Sequence, residues 1–227
     1  MVKAVYFDLD GTLLNVSRRF HRALNTARVS EGAAEMDWDE FERRYGKDVL
    51  TEQVPAERHG HFWRLFLEEF SHKPEPHLGE PFPGVTDALD ELRRRGLRTA
   101  VITNRASKSD AVRSELSQMG MEDHFDVVLS QGDFNFQRGD FATDLSLYSK
   151  ESMIHHASGE LGLEPAGVAF VGDLITDIVS SRKAGCRLSV GVLTGGMNRQ
   201  GLESAGAHHV LDSAAQILEI LDRLSRA

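Results

Sequence analysis

Short apolar runs alternate along this chain with helical patterns, and several of the runs end abruptly at polar residues. The apolar runs lie at 4–7, 101–102, 127–129, 168–171 and 188–190, and the helical patterns at about 84–95, 107–119, 150–161, 175–184 and 213–224. A continuous apolar run of this kind is typical of a strand that is buried on both faces. Strand and helix in alternation predict a parallel sheet covered by helices on both sides. We therefore expect an α/β fold with a Rossmann-like, doubly wound core.

Residues 15–79 interrupt this alternation. They contain three helical stretches, Arg18 to Val29, Trp38 to Tyr45 and Arg58 to Phe70, and no convincing strand. The prolines between positions 74 and 83 then indicate a turn-rich return to the sheet. The simplest interpretation is an inserted helical domain. We predict an α/β core formed by 1–14 and 80–227, and a helical cap formed by 15–79.

The charge of the chain limits its partners. The sequence has 26 basic and 35 acidic residues and a net charge of −9. Nucleic acids and anionic membranes attract basic surfaces, so we expect neither as the main partner. No apolar stretch approaches a membrane span, and the N-terminus leads into a strand rather than a signal sequence. The single cysteine, Cys186, fits a reducing compartment, and we expect a cytoplasmic monomer or homodimer.

Three of the predicted strands end in acids or hydroxyl and amide side chains. These are Asp8 and Asp10, then Thr103 and Asn104, then Asp173 and Asp177. In a doubly wound sheet, ligands bind outside the carboxyl ends of the strands, so we expect these groups to converge. Four carboxylates in one place repel each other without a cation, and their oxygen atoms favour Mg²⁺. The scattered histidines and the single cysteine disfavour zinc.

The spacing of Asp8 and Asp10 suits catalysis. The two residues are two apart, so in an extended strand end their side chains point the same way. One carboxylate can then attack a substrate while the other transfers protons. Each motif alone also occurs in ordinary turns and helix caps. Their occurrence together and in this order favours a catalytic site.

These motifs make the chain resemble the haloacid dehalogenase superfamily, specifically its phosphatases with a helical cap between the first and second motifs. The matching segments are Phe7 to Leu13, Phe82 to Asn104, and Val171 to Ile178. The tail from Gly191 to Ala207 is similar to phosphoglycolate-phosphatase-like members. The resemblance covers nearly the whole chain, and it implies an Mg²⁺-dependent hydrolase that acts on a small phosphorylated metabolite.

The resemblance also implies a role for each matched residue. Asp8 would be the nucleophile that forms an aspartyl-phosphate, and Asp10 would protonate the leaving oxygen and then activate water. Thr103 would bind a phosphoryl oxygen, assisted by backbone amides near Leu9 and Asn104. The implied Mg²⁺ ligands are Asp8, the Asp10 carbonyl, Asp173 and, in the same shell or the next, Asp177.

A lysine that offsets charge on the phosphoryl group is harder to place. The family's third motif commonly reads Lys-Pro, and no such pair occurs between Asn104 and Gly172. We expect Lys150 to take this role, with Arg138 as the alternative; Lys150 could also be an ordinary surface lysine. The polar, aromatic segment 131–149 is unusually long for a connection, and it is either a functional loop or the site of a short element.

Several functions remain open at this point. Asp10 disfavours dehalogenases and phosphonoacetaldehyde hydrolases, which lack an acid at this place in the family. A phosphoglycolate-phosphatase-like hydrolase and a sugar phosphomutase of the β-phosphoglucomutase type share the motifs. A non-catalytic phospho-aspartate domain is the third alternative, and the complete set of acids disfavours it.

Substrate selection is expected to come from the cap. Arg44, Gly46 and Lys47 lie between two predicted cap helices, where related enzymes carry a specificity loop. Arg44 or Lys47 could pair with a substrate carboxylate or a second phosphate. An ordinary solvated turn is the alternative interpretation of this segment.

Overall fold

A computed structural model describes residues 1–45, 53–72, 78–134 and 149–226 of the chain. Its strands are β1 Ala4–Phe7, β2 Leu14–Asn15, β3 Glu80–Pro81, β4 Arg98–Thr103, β5 Val127–Ser130, β6 Val168–Gly172, β7 Leu188–Val192 and β8 His209–Leu211. Six of them form one parallel sheet in the order β5-β4-β1-β6-β7-β8. The chain starts at β1 in the middle, runs outward through β4 to β5, and then returns to build the other half. This doubly wound order confirms the predicted fold class.

The register of the central strands brings their carboxyl ends to one level. Phe7 of β1 lies beside Val101 of β4 on one side and beside Val171 of β6 on the other. The winding direction reverses at β1, and ligands bind at such reversal points in open α/β sheets. The residue after Phe7 therefore stands at the place where the fold favours a site.

Helices lie on both faces of the sheet and in the segment inserted between β2 and β3. They are α1 Ser17–Ser30, α2 Trp38–Arg44, α3 His59–His72, α4 Val85–Arg94, α5 Ser109–Gln118, α6 Glu151–Glu160, α7 Ile175–Lys183, α8 Arg199–Ser204 and α9 Ile217–Arg226. Side chains of β1 alternate between two hydrophobic clusters: Val5 and Phe7 join α4, α5 and α9, whereas Ala4 and Tyr6 join α6. Within the described residues, no helix combines the length and hydropathy needed to cross a membrane.

The predicted elements agree with the structure to within a few residues, and the differences are short elements. The sequence pattern indicates no strand at the ends of the helical insertion, but β2 pairs antiparallel with β3 there. Two residues per strand are too few to show a period. The edge strand β8 and the short helix α8 were also missed. In the long segment 131–149, Gln131–Asp133 forms a 3₁₀ turn, and residues 135–148 lie outside the described part.

Helices α1, α2 and α3 have a hydrophobic cluster of their own. It contains Ala23, Leu24, Ala27, Met36, Phe41, Val54, Phe62 and Phe66. Phe20 completes it, with its ring centroid 4.6 Å from that of Phe66. The β2–β3 ribbon lies where the chain leaves the sheet and returns to it. We therefore propose the predicted division into a core of 1–14 and 80–227 and a cap of 15–79.

The packing of α4 generates a stability prediction. Leu89 of α4 is 1% exposed, whereas Leu224 of α9 is 40% exposed. Because truncation of a buried leucine removes apolar contacts and leaves a cavity, Leu89→Ala should lower the free energy of unfolding by roughly 2–5 kcal/mol. The matched variant Leu224→Ala should change it by no more than about 0.5 kcal/mol. Urea denaturation measures both, and equal losses would contradict the assignment of α4 to the core.

Candidate active site

Three carboxylates meet at the carboxyl edge of the sheet. Asp8 follows β1, Asp173 follows the neighbouring strand β6, and Asp177 lies in the first turn of α7. One oxygen atom of each lies within 4.8 Å of the others, and all three side chains are buried. The parallel pairing of β1 with β6 brings these residues together, although 165 positions (173 − 8) separate the first from the second.

Lys150 joins this cluster. Its Nζ donates hydrogen bonds to Asp8 Oδ1 at 2.5 Å and to Asp177 Oδ1 at 2.7 Å. The residue immediately precedes α6, and its backbone N–H donates to Ser180 Oγ. Its side chain is only 1% exposed, so the interpretation as a surface lysine is wrong. The alternative residue, Arg138, lies outside the described residues.

The backbone approaches Asp173 closely on two sides. Thr12 Oγ1 donates to Asp173 Oδ1 at 3.2 Å, and the N–H of Gly196 donates to Oδ2 at 3.3 Å. A Cβ atom on Gly11 would lie 2.7 Å from Asp173 Oδ2, and one on Gly195 would lie 1.8 Å from the same atom. Gly11 also has a φ of +81°, which favours glycine. These two glycines therefore leave room for the carboxylate.

The cluster carries excess negative charge in a buried place. Three carboxylates and one ammonium group give a formal charge of −2. Burial raises the pKa of Asp8 to about 6, against the opposing effect of Lys150. Burial, with Asp8 and Asp177 nearby, also raises the pKa of Asp173 well above its usual range. A divalent cation would offset this charge, and oxygen donors are the ligands that Mg²⁺ prefers.

The oxygen atoms of the cluster differ in their hydrogen bonds. Asp177 accepts from Lys150 on one oxygen and from the N–H of Leu174 on the other. Asp8 accepts from Lys150 through Oδ1. Asp173 also accepts on both oxygens, but from the Thr12 hydroxyl and the Gly196 N–H rather than from an ammonium group.

Asp10 belongs to a second cluster of charges. Its carboxylate accepts from Arg105 Nε at 2.7 Å and from Arg105 Nη2 at 2.5 Å, and Arg19 Nη2 lies at 3.4 Å. Both arginines also contact Glu115, Arg105 at 2.5 Å and Arg19 at 3.2 Å. Arg19, Arg105 and Glu115 are all buried. Burial opposes ionisation of Asp10, but Arg105, together with Arg19 and Lys150, outweighs this effect and the pKa of Asp10 is lowered overall.

The remaining candidate residues are spread between the sheet edge and the cap. Thr103 is buried at the end of β4, and its Oγ1 accepts from the N–H of Arg105 at 3.3 Å. Leu9 is buried next to Asp8, and Asn104 follows Thr103. The proposed phosphate contacts of these residues stay predictions. In the cap, Arg44 pairs with Glu40 at 2.8 Å, whereas Gly46 and Lys47 lie outside the described residues.

The profile of the haloacid dehalogenase-like hydrolase family matches residues 5–191. The chain belongs to this family. It is 27% identical over 230 residues to a phosphoglycolate phosphatase of Chromobacterium violaceum, with 97% of this chain and 96% of the relative covered. It is 30% identical over 208 residues to a phosphoglycolate phosphatase of Neisseria meningitidis, with 86% and 81% covered. These matches confirm the predicted family.

A solved structure supports the same fold. A haloacid dehalogenase-like family protein from Streptococcus pneumoniae aligns with a TM-score of 0.72 over 97% of this chain and 98% of its own. Its sequence identity is 17%. At that level, the likeness concerns the fold alone.

The haloacid dehalogenase-like motifs gave no sign of the charge cluster around Asp10. We assigned no role to Arg19, Arg105 or Glu115 from the sequence. The sequence feature that could have indicated this charge cluster is the position of Arg105, directly after the Thr103–Asn104 pair. Arg19 and Glu115 are 96 residues apart, and only the tertiary fold brings their side chains together.

Because this cluster is buried, removal of a single charge from it should strongly lower the free energy of unfolding. Glu115→Gln removes the carboxylate that both Arg19 and Arg105 contact, so positive charge is left buried without its partner. Breaking a buried ion pair in this way destabilises a protein by roughly 3–5 kcal/mol. The control is Glu122→Gln, which removes a partly exposed pair with Arg113 at 3.5 Å and should change the unfolding free energy by about 0–1 kcal/mol. Similar losses in urea denaturation would argue against the cluster.

Proposed function

We propose that this chain is an Mg²⁺-dependent phosphate monoester hydrolase that uses Asp8 as its nucleophile. The observation that carries the proposal is the position of Asp8. It ends the central strand, it accepts a hydrogen bond from the buried Lys150, and it lies beside Asp173 and Asp177. The similarity to two phosphoglycolate phosphatases supports the same reaction class.

The first proposed step transfers the phosphoryl group to Asp8. A carboxylate oxygen of Asp8 forms a bond to phosphorus while the bond between phosphorus and the leaving oxygen breaks. Lys150 holds the Asp8 carboxylate in place through Oδ1, and its positive charge favours the ionised form. The products of this step are an aspartyl-phosphate on Asp8 and the free alcohol.

The second proposed step returns Asp8 to its starting form. Water attacks the phosphorus of the aspartyl-phosphate, the bond to the Asp8 oxygen breaks, and inorganic phosphate leaves. Asp10 is proposed to give a proton to the leaving alcohol in the first step and to take one from water in the second. Arg105 donates to both oxygens of Asp10, so the carboxylate has a fixed direction. Its lowered pKa favours the ionised form that accepts the proton in the second step, whereas the first step requires Asp10 to carry a proton against the charge of Arg105.

The other groups are proposed to bind the phosphate and the metal. Thr103 and the amides near Leu9 and Asn104 would hold phosphoryl oxygens. Mg²⁺ would supply positive charge that offsets the charge of the transferring group. Its proposed ligands are Asp8, the Asp10 carbonyl and Asp173, with Asp177 in support.

The products of the reaction distinguish a hydrolase from the two alternative functions that the sequence leaves open. A sugar phosphomutase would use the same groups, but it would interconvert sugar phosphates rather than release free phosphate. A non-catalytic domain would carry phosphate on Asp8 without turnover. Cytoplasmic location and a monomeric or homodimeric state remain predictions from the sequence.

Removal of the nucleophile gives the first test. Asp8→Asn replaces the attacking oxygen by an amide, so hydrolysis of p-nitrophenyl phosphate should fall by at least about a thousandfold, while circular dichroism shows an intact fold. The control is Asp123→Asn, at an exposed position in the turn before β5, which should retain wild-type turnover. Wild-type turnover by Asp8→Asn would end the proposal.

Removal of the metal gives the second test. Because the buried cluster has a formal charge of −2, EDTA should abolish the release of phosphate and added Mg²⁺ should restore it. Isothermal titration of Mg²⁺ into the metal-free protein should show binding that Asp173→Asn weakens. Full activity in excess EDTA would contradict the assigned metal dependence.

A further inference from the structure

A cavity of about 300 Å³ lies between α2 and the carboxyl edge of the sheet. Trp38, Phe41, Glu42 and Tyr45 line it from α2 and the residue that ends this helix, and Phe82 lines it from the segment after β3. This volume is at the lower end of the range for small-molecule sites. The cavity can hold a small organic group.

The cavity adjoins the carboxylate cluster. Gly11 and Thr194 form part of its wall, and Thr194 Oγ1 donates to the Gly11 carbonyl at 2.7 Å. Gly11 in turn lies against Asp173, where a Cβ atom would be 2.7 Å from Oδ2. Burial raises the pKa of Tyr45, and the charges of Asp173 and Asp10 raise it further. Gly11 therefore connects the cavity wall, which Tyr45 shares, to the carboxylate of Asp173.

Four aromatic side chains, Trp38, Phe41, Tyr45 and Phe82, form part of the cavity wall, beside the polar side chains of Asn15, Ser17, Glu42 and Thr194. The ring centroids of Trp38 and Phe41 are 5.4 Å apart, and those of Phe41 and Tyr45 are 5.1 Å apart. Such neighbouring rings provide a continuous apolar surface with few rotatable bonds. An alcohol with an apolar or aromatic face would gain contact area there, whereas a two-carbon acid would leave most of it uncovered.

The charge of the cavity wall also disfavours a small acid as the bound alcohol. Among the lining residues that the structure describes, Glu42 has the one formally charged side chain. A carboxylate on the substrate would meet Glu42 as well as the acids at the sheet edge, and like charges repel. Arg44, the residue predicted to pair with such a carboxylate, instead contacts Glu40. Arg18 stacks on Trp38, with its guanidinium 3.8 Å from the ring centroid, but it is not among the described lining residues.

We propose that this cavity binds the alcohol part of the substrate and selects phosphate monoesters of apolar or aromatic alcohols that are uncharged or positively charged. Esters with a carboxylate, phosphoglycolate among them, are disfavoured by Glu42. This selection rests on the proposed phosphatase function. It distinguishes the chain from the two relatives that are named as phosphoglycolate phosphatases.

A matched set of aryl esters tests the selection. The substrates are 4-methylphenyl, 4-(aminomethyl)phenyl and 4-(carboxymethyl)phenyl phosphate, which share a ring and differ in charge, together with phosphoglycolate. Phosphate release by the full chain with Mg²⁺ gives kcat/KM for each ester. We expect the values for the methyl and aminomethyl esters to exceed those for both carboxylates by at least about tenfold, because the carboxylate of Glu42 in the cavity wall repels a substrate carboxylate.

Charge reversal at the cavity wall assigns the selection to Glu42. In Glu42→Lys, the ratio of kcat/KM between the aminomethyl and carboxymethyl esters should fall by about tenfold or more relative to the wild type. Asp39→Lys is the control, because it makes the same change of charge at an exposed position of the same helix outside the described cavity wall. It should leave that ratio within about twofold.

The outcomes separate this inference from the function on which it rests. Preference of the wild type for phosphoglycolate or the carboxymethyl ester would overturn the inference and leave the hydrolase proposal intact. Equal changes in Glu42→Lys and Asp39→Lys would do the same. Absence of turnover with every ester and with p-nitrophenyl phosphate would overturn the hydrolase proposal and the selection with it.

Discussion

The contact between the Lys150 ammonium and the carboxylates of Asp8 and Asp177 is the interaction on which the site depends. Charged groups lose favourable hydration when they are buried, and the loss is offset only by close partners and further hydrogen bonds. Lys150 reaches both acids from the position immediately before α6, with its side chain buried between them. The fold thus places a single buried cation in contact with both Asp8, the proposed nucleophile, and Asp177.

The second buried cluster connects the helical insertion to the same edge of the sheet. Arg19 belongs to α1, Glu115 to α5, and Arg105 follows β4, yet all three converge on Asp10. The direction of the Asp10 carboxylate is therefore coupled to the position of α1. A shift of α1 away from the sheet would take Arg19 from two carboxylates and leave Glu115 and Asp10 with Arg105 alone. Through Arg19, α1 is consequently part of the electrostatics at the sheet edge.

The sequence predicted the parts of this molecule that local pattern determines. Apolar runs that end in acids located Asp8 and Asp173, because the carboxyl ends of parallel strands share one edge whatever the length of chain between them. The role of Lys150 was harder to predict, since the proline that usually follows this lysine in the family is absent. Its burial between two acids depends on tertiary packing, which the local sequence does not show. The pairing of Arg19 with Glu115 was out of reach for the same reason. The β2–β3 ribbon was missed because two residues have no measurable period.

The chemistry and the selectivity of this chain have different origins in the structure. The groups proposed for phosphoryl transfer are fixed by strand ends, where parallel pairing leaves each side chain little freedom. The wall that would contact the alcohol comes mainly from α2, a seven-residue helix on the inserted segment. An exposed position such as Glu42 can change there without disturbing the buried acids. Family membership therefore constrains the bond that is broken much more strongly than it constrains the alcohol that is released.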